Sequence, residues 1–457
     1  MMLLIRFLQE MCMKRTKAQK NLIFFSETIF SDRICNQIIK KKSNYNVHVI
    51  FSNEVKEFDR KLKSRNRSLL FRLRVIIVRY LVELMRYVAP SEANDIALKD
   101  HFIINSASWK FYKKQSFKLY ISALKYSHFL RKITHKLILF LVPKSITSEI
   151  FSKILDFNIV VFSVGNLKSL SVVSFVANAK KFNNHTSYTF IQSWDNPTTK
   201  GYGAFRTDFF LTWTELMRFE IDLYQDIPLK KSLAVGSPTL LSQKYIESHK
   251  PPHVSPVKQK IIFATKSPAS YKSNLDIAEA LAIFSSEHDF ELEVRMHPLC
   301  LVRKSDELEN MIRLSKKYTF DVRYPELSKS NVVLDSIKDN LAFTSKQNDI
   351  LVTIYSTMNI EAAYLGMRCI NIDFATKEGK DFSPRVNIDL DRKQLHNKRI
   401  LSYGYIYNTK SINHLLETIT MITSGDLIAS KEKERQTVMN KECSPVYDVD
   451  NLLKAIS

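Results

Sequence analysis

Two segments about sixty residues apart each carry an apolar run into polar side chains that could bind a phosphate group. The first is residues 294–298 (VRMHP), and the second is residues 350–366 (ILVTIYSTMNIEAAYLG). Each apolar run predicts a buried strand, and the polar residues begin where that strand stops. In an open parallel sheet, ligands bind where strands end and helices begin. Both segments are therefore predicted to contribute to one phosphate-binding pocket.

His297 is the first candidate for contact with the phosphate. Pro298 follows it and discourages helix at His297 itself, so the imidazole is predicted to lie at the carboxyl edge of the sheet. There it could donate a hydrogen bond to a phosphate oxygen and support a departing phosphate or diphosphate. Arg295 could add positive charge. The alternative is a histidine that only packs a loop.

The second segment offers hydroxyl groups at a predicted strand-to-helix turn. Tyr355 precedes Ser356 and Thr357, whose hydroxyls and backbone amides could bind an anion at the start of the helix. Simple N-capping of that helix is the alternative role, and the two roles are compatible. Glu361 lies on the first turns of the same helix and could reach ribose hydroxyls. Its alternative is a solvent-facing glutamate favoured by the helix dipole.

A polar loop in the first half of the chain also follows a predicted strand. Residues 192–201 (QSWDNPTTKG) should face the same cleft, and Asp195 is the best-placed carboxylate for accepting a proton from a hydroxyl group. Trp194 could stack on a sugar ring, while Asn196 and Lys200 could contact either substrate. The alternative is an Asx-turn organised by Asp195 and Asn196.

Strand and helix patterns alternate in both halves of the chain. Candidate strands lie at residues 21–26, 46–52, 157–163, 188–192, 208–213 and 232–236, and again at 260–265, 291–295, 349–354 and 368–372. This alternation predicts an α/β fold with parallel sheets. We expect two Rossmann-like domains facing across a cleft, at residues 1–238 and 239–457. The polar, proline-rich stretch between Gly236 and Lys258 is the predicted linker.

The first domain contains an interruption at about residues 60–145. Residues 64–88 and 109–142 are basic, and in residues 64–88 apolar side chains recur at helical spacing. Such helices could lie on an anionic membrane surface. The alternative is a packed helical insert with a solvated basic face. Either way, a helical insert in the first domain is predicted.

The charge balance limits the partners of the chain. The 457 residues include 68 Lys and Arg against 46 Asp and Glu, a formal net charge of +22. Such a surplus favours an anionic partner, namely a membrane surface, nucleic acid or a phosphorylated substrate, unless it is compositional drift. The basic residues lie on amphipathic segments and not beside an RRM or zinc-finger signature, so we predict no nucleic-acid partner.

Several classes of protein are disfavoured by missing motifs. The chain has no P-loop, GxGxxG or GxSxG motif, which argues against kinases, ATPases, NAD enzymes and α/β-hydrolases. The histidines do not cluster at metal-ligand spacing, so we predict neither a metal nor a cofactor. Five scattered cysteines fit a reducing compartment, and no apolar run approaches the roughly 18 residues that span a bilayer. We therefore expect a cytoplasmic protein, peripheral on the inner face of the cytoplasmic membrane.

Taken in order along the chain, five short motifs resemble bacterial GT-B glycosyltransferases of surface polysaccharide synthesis. They are Ser193-Trp194-Asp195-Asn196, Thr212-Trp213-Thr214-Glu215, Gly236-Ser237-Pro238, Arg295-Met296-His297-Pro298, and Tyr355-Ser356-Thr357 followed by Glu361-Ala362-Ala363. The His-Pro and Ser-Thr pairs are also similar to motifs of bacterial sialyltransferases and of CDP-glycerol glycerophosphotransferases. The resemblance covers roughly residues 157–372.

The resemblance implies a metal-independent transferase that moves a sugar from a CMP-, CDP- or UDP-linked donor to a glycan or lipid-linked acceptor. It implies that the second domain binds the donor phosphate through His297, Ser356 and Thr357. The first domain would hold the acceptor, with Glu215 on its side of the cleft. A CDP-polyol phosphotransferase of teichoic-acid type is the nearest alternative. A non-catalytic protein that binds nucleic acid or carbohydrate is the alternative from another class.

Overall fold

The computed structural model describes a large part of the chain, with gaps. The described residues are 20–26, 45–51, 68–86, 127–141, 159–163, 186–191, 193–194, 197, 207–240, 246–247, 258–268, 271–302, 306–324, 326–327, 333–334, 340–346, 348–376, 388–425 and 431–456. Among the predicted site residues, Asp195, Asn196 and Lys200 lie outside these ranges.

The first half of the chain forms a six-stranded sheet in which every neighbouring pair is parallel. Its strands are β1 (Lys20–Ser26), β2 (Tyr45–Phe51), β3 (Ile159–Ser163), β4 (Thr186–Phe190), β5 (Phe209–Thr212) and β6 (Ser232–Ala234). The order across the sheet is β2-β1-β3-β4-β5-β6. The chain therefore reverses its direction of progress between β1 and β3.

The second half forms another six-stranded parallel sheet. Its strands are β7 (Lys260–Ala264), β8 (Glu291–Arg295), β9 (Asp321–Arg323), β12 (Ile350–Thr353), β13 (Arg368–Ile372) and β14 (Tyr407–Thr409), and β10 (Glu326–Leu327) and β11 (Val333–Leu334) form a small antiparallel pair. The order β14-β13-β12-β7-β8-β9 is that of a Rossmann fold, with its topological switch point between β7 and β12. The central strands read as continuous apolar runs because both faces of a parallel sheet are covered.

Helices connect the strands and complete both layers. They are α1 (Leu69–Arg86), α2 (His128–Leu141), α3 (Glu215–Gln225), α4 (Asn274–Glu287), α5 (Leu299–Val302), α6 (Glu307–Tyr318), α7 (Leu341–Thr344), α8 (Met358–Tyr364), α9 (Ile388–Lys393), α10 (Leu395–Ser402), α11 (Ile412–Thr423), α12 (Glu432–Glu442) and α13 (Val449–Ile456). Helices α1 and α2 fall between β2 and β3 and pack on each other. Within the described ranges, no helix has the length and apolarity needed to cross a membrane.

The predicted fold class is confirmed: the chain is α/β, with two Rossmann-like parallel sheets and a helical insert in the first half. One hydrophobic core joins the two halves, since it contains Val161 and Phe190 from the first sheet, Leu351 and Cys369 from the second, and Leu452 from α13. The last strand of the first sheet ends at residue 234 and the first strand of the second begins at 260. The boundary at residues 238 and 239 stays a prediction.

The C-terminal segment packs against the turn that follows β6. Gly236 in this turn has φ +88°, a conformation that strains residues with a side chain. A Cβ atom at Gly236 would overlap the backbone of Tyr447 and lie 2.8 Å from the carbonyl oxygen of Pro445. Only glycine therefore allows the end of the chain to close over the end of the first sheet.

We expect Gly236→Ala to lower the free energy of unfolding by about 3 kcal/mol, because it adds both backbone strain and overlap with Tyr447. Gly425→Ala is the matched control, since Gly425 has φ +91° but nothing within 4 Å of its added Cβ. The control should show the strain alone, roughly 1–2 kcal/mol. Urea unfolding midpoints of the two variants measure the difference, and equal midpoints would contradict the packing role of Gly236.

Candidate functional site

Three predicted strand ends meet at the carboxyl edge of the second sheet. β7 lies between β8 and β12, so the residues after these strands are neighbours. Adjacent strands are about 4.8 Å apart, which places the ends of β8 and β12 roughly 10 Å from each other. The edge includes the switch point between β7 and β12, where open α/β sheets bind ligands. The structure therefore brings the His-Pro corner and the Tyr-Ser-Thr turn to one edge.

The His-Pro corner is attached to the end of β7. The backbone N–H of His297 donates to Thr265 Oγ1 at 2.8 Å, and Thr265 is the first residue after β7. The His297 side chain is half-buried and Pro298 is exposed. This hydrogen bond fixes the backbone at His297, so the corner sits beside the switch point.

The Tyr-Ser-Thr turn has an unusual backbone that tertiary contacts support. Tyr355 has φ +47°, a left-handed conformation that is uncommon for a bulky residue. Its backbone N–H donates to the buried side chain of Asn371 on β13 at 2.7 Å. Ser356 Oγ accepts a hydrogen bond from the backbone N–H of Met358 at 3.2 Å, which is the N-capping role expected as an alternative. The sharp turn leaves Ser356 and Thr357 half-buried at the sheet edge.

Helix α8 is too short to bind an anion through its dipole alone, since it has seven residues. Any charge on a phosphate at this edge must therefore be met by side chains. Glu361 lies half-buried on the same helix, one turn after its start.

Lys266 supplies a positive charge at the switch point, and it was missed from the sequence. It follows Thr265 after β7, and its Nζ lies 2.5 Å from Asp391 Oδ2 and 5.9 Å from the ring centre of Tyr355. Its backbone N–H and C=O both bond to the buried Asn274 side chain, at 3.1 and 2.8 Å. A lysine directly after an apolar strand was the available signal, because the neighbouring strand ends had already been chosen on that ground.

Asp373 anchors the part of the edge that lies beyond β12. It is 2% exposed and follows β13. Its carboxylate accepts hydrogen bonds from Tyr355 Oη (2.7 Å), Asn408 Nδ2 (3.0 Å), Arg392 and Lys410. Burial alone would raise the pKa of Asp373, but these donors hold it below its ordinary value. Burial, and then the Asp373 carboxylate, raise the pKa of Tyr355, so this phenol stays a hydrogen-bond donor.

We expect the stabilisation from ionised Asp373 to disappear in acid. Because its pKa is lower in the folded chain, this contribution is fully present above the unfolded-chain pKa of about 4 and is lost as the pH falls through the folded-chain pKa. Asp373→Asn should therefore have a lower urea midpoint than the natural chain near neutral pH, with a gap that narrows below about pH 4. A gap that is the same at both pH values would show that the charge of Asp373 is not what stabilises the edge.

An open cavity of about 350 Å³ adjoins Asp373 at the ends of β13 and β14. It is lined by Phe374, Ala375, Thr376, Lys410, Ser411, Ile412 and Asn413. The Thr376 backbone N–H is held by Ser273 Oγ at 2.9 Å, and Ser411 caps α11 by accepting from the His414 N–H at 3.1 Å. The cavity thus has ordered walls and continues the same carboxyl edge.

Arg295 belongs to a buried ion cluster. Its Nε lies 2.6 Å from the Glu293 carboxylate, and its guanidinium also bonds to Thr344. Lys260 (3.3 Å) and Arg323 (2.9 Å) contact the same carboxylate. Burial would raise the pKa of Glu293, but these three cations lower it. The predicted contact of Arg295 with a donor stays a prediction, and the structure gives its guanidinium other partners.

Trp194 connects the loop after β4 to the turn before α8. Its Nε1–H donates to Thr357 Oγ1 at 2.9 Å, across 163 positions of sequence. The indole is 3% exposed and packs edge-on against His396, with ring centres 4.7 Å apart. In this structure neither face of the ring is open to a sugar. Trp194 instead joins the carboxyl edges of the two sheets, which places the loop containing Asp195 next to the donor corner in sequence.

Two acidic residues on the other side of Trp194 are held by Arg399. Its guanidinium bonds to Glu220 on α3 and to Glu442 on α12, with Nε–Oε1 2.7 Å and Nη2–Oε2 3.2 Å for the latter. It lies 5.6 Å from the Trp194 ring centre. Both carboxylates are buried. Burial alone would lower the pKa of Arg399, but the two carboxylates raise it, so this guanidinium stays charged.

Glu215 is the first residue of α3, whose N-cap is Thr214. Its side chain is exposed and forms an ion pair with Arg218 at 2.6 Å. Its predicted place on the acceptor side of the cleft stays a prediction.

Comparisons with known proteins find a distant likeness in fold only. No protein-family model and no curated protein sequence matches the chain. A glycosyltransferase from Rickettsia africae ESF-5 has 13% identity and a TM-score of 0.41, with 96% of each chain covered. The S. aureus MnaA–UDP structure has 9% identity and a TM-score of 0.47, covering 96% of this chain and 95% of that one. For the wall teichoic acid polymerase TagF the values are 12%, 0.45, 96% and 88%. At this level of similarity, function has to be inferred from the chain's own residues.

Proposed function

We propose that the chain is a glycosyltransferase that moves a sugar from a nucleotide-sugar donor to a lipid-linked or polysaccharide acceptor in cell-surface glycan synthesis. One observation carries this proposal. The ends of β7, β8 and β12 place Lys266, His297, Ser356 and Thr357 at the switch point of a Rossmann-type sheet, and Trp194 of the other sheet bonds directly to this turn. A phosphate-binding edge that is contacted by a second sheet suits a reaction between two substrates.

The donor's phosphate would lie between the His-Pro corner and the Ser-Thr turn. His297 and the hydroxyls of Ser356 and Thr357 would donate hydrogen bonds to its oxygens. We assign charge neutralisation to Lys266 and not to Arg295, because the Arg295 guanidinium is paired with the buried Glu293. The Lys266 ammonium would exchange its ion pair with Asp391 for the phosphate.

The rest of the donor would extend along the sheet edge. Glu361 would accept hydrogen bonds from the ribose hydroxyls, as expected from its place on α8. The cavity between Phe374 and Asn413 has a volume of about 350 Å³ and would take the base, which could be cytosine or uracil. Tyr355 and Asp373 separate the two subsites and would keep the turn rigid.

The transfer step needs a base and a stabilised leaving group. Asp195, one residue after Trp194, would take the proton of an acceptor hydroxyl. The acceptor oxygen would then bond to the anomeric carbon as the bond from that carbon to the phosphate oxygen breaks. The electron pair leaves with the nucleotide, and its negative charge would be met by Lys266 and His297. Because these two cationic or hydrogen-bonding groups can serve the leaving group, the proposal is metal-independent, with Asn196 and Lys200 contacting the acceptor.

The acceptor class implies a location. A lipid-linked acceptor would place the enzyme in the cytoplasm, peripheral on the inner face of the cytoplasmic membrane, and the net charge of +22 supports attraction to anionic lipid.

A nucleotide screen tests the proposal and separates its alternatives. The melting temperature would be measured with CMP, CDP and UDP, and saturation at about 100 times Kd stabilises a folded chain by about 2.7 kcal/mol. Nucleotide release would then be followed with sugar-linked donors and with CDP-glycerol. Stabilisation by one nucleotide and its release from a sugar donor supports glycosyl transfer. Release from CDP-glycerol alone would identify a polyol-phosphate transferase. No stabilisation by any nucleotide would overturn the proposal.

A further inference from the structure

The helical insert carries a continuous set of exposed apolar side chains. On α1 they recur every three or four residues, so they share one face of the helix. On α2 the spacing is the same. We call these side chains the insert surface: Leu69, Leu70, Leu73, Ile76, Ile77 and Tyr80 on α1, and Phe129, Ile133, Leu137 and Phe140 on α2.

The exposure of this surface is large for side chains of this kind. Leu69 is 74% exposed and Phe140 is 75% exposed, whereas Val78 on α1 and Ile138 on α2 are fully buried. Each helix therefore has one apolar face packed in the protein and a second apolar face that is open. Contiguous exposed apolar patches of this size mark contact with a membrane or another protein.

Basic residues border the insert surface. Lys132 and Lys136 are exposed on α2, each next in sequence to a residue of the surface, and Arg74 is exposed on α1. Helix α2 contains no acidic residue among its 14 positions, and Glu83 is the only one in the 18 positions of α1. Long lysine and arginine side chains at the edge of an apolar face can reach the headgroups while that face enters the acyl region.

The insert is held to the body of the protein and is not a free segment. Arg131 on α2 is buried and forms an ion pair with Asp226, the C-cap residue of α3, at 2.7 Å. This contact joins the face of α2 opposite the surface to the first half of the chain. The insert surface is therefore presented outward on a supported pair of helices.

We infer that the insert surface binds the headgroup region of an anionic lipid bilayer, with its apolar side chains inserted and its lysines on the headgroups. Charge complementarity favours this occupant over another protein, because the border is basic and the whole chain has a net charge of +22. A second copy of this chain would bring two basic borders together, which disfavours a dimer through this surface. The surface shares no residue with the donor edge, so its test does not depend on transfer activity.

Vesicle co-sedimentation of the full chain tests the inference. Phosphatidylcholine vesicles with and without phosphatidylglycerol would be compared at low and high salt. We expect binding to the anionic vesicles only. Phe129→Ser with Phe140→Ser should weaken that binding by on the order of tenfold at either salt concentration, since it removes inserted side chains. Lys132→Gln with Lys136→Gln should weaken it by about tenfold at low salt and much less at high salt.

Matched controls use similar side chains outside the insert. Phe219→Ser replaces a 56% exposed phenylalanine on α3, and Lys398→Gln with Lys433→Gln removes two exposed lysines from α10 and α12. These variants should bind as the natural chain does. Equal binding by the insert variants and their controls would overturn the inference. So would a dimer in solution that Phe129→Ser with Phe140→Ser converts to a monomer, because the surface would then be an interface between copies.

Discussion

His297→Ala is expected to lower the rate of sugar transfer by about 100- to 1000-fold, the usual loss when one hydrogen-bond donor to a developing negative charge is removed. The backbone of His297 is fixed by Thr265, so the substitution removes the imidazole without moving the corner. The donor's phosphate carries more charge as it leaves, and kcat should therefore fall more than KM for the donor rises. Steady-state kinetics with the donor found in the nucleotide screen measures both constants.

His288→Ala is the control for this prediction. His288 is exposed at the C-cap of α4, where its ring stacks on Phe284 with centres 4.1 Å apart. Losing this imidazole should leave kcat unchanged. Full activity in His297→Ala, with a normal melting temperature, would remove His297 from the reaction and leave it as a loop-packing residue.

Arg399→Ala is expected to lower the free energy of unfolding by about 3–5 kcal/mol, because it leaves two buried carboxylates without their cation. Glu220 comes from the first half of the chain and Glu442 from the second, so the variant should also loosen the contact between them. Arg399→Lys keeps the charge but not the fork of donors, and it should fall between the two. Urea unfolding of the three proteins gives the order.

An exposed ion pair provides the comparison for Arg399. Lys258 pairs with Asp289, and both side chains are more than half exposed. Lys258→Ala should leave the urea midpoint unchanged, because solvent screens such a pair. If Arg399→Ala has the same midpoint as Lys258→Ala, the cluster around Arg399 does not hold the two halves together.

Local pattern was enough to predict most of the strands. The central strands β7, β8, β12 and β13 are apolar runs followed by polar residues, and all four were predicted close to their observed bounds. The edge strands β9 and β14 were not predicted, because three residues with partly polar side chains give no periodic signal. They form strands because a neighbouring strand offers them hydrogen bonds, which is a tertiary effect.

The sequence by itself determined the α/β class, the insert, and the meeting of the His-Pro and Ser-Thr ends at one sheet edge, since all three follow from short-range pattern and the geometry of parallel strands. Only the tertiary structure decided what individual side chains contact. It buried Trp194 against Thr357, paired Arg295 with Glu293, and brought Lys266 to the switch point. Partners of this kind can lie far apart in the chain, as Trp194 and Thr357 do, and their choice depends on packing and on desolvated charge, which no local pattern contains.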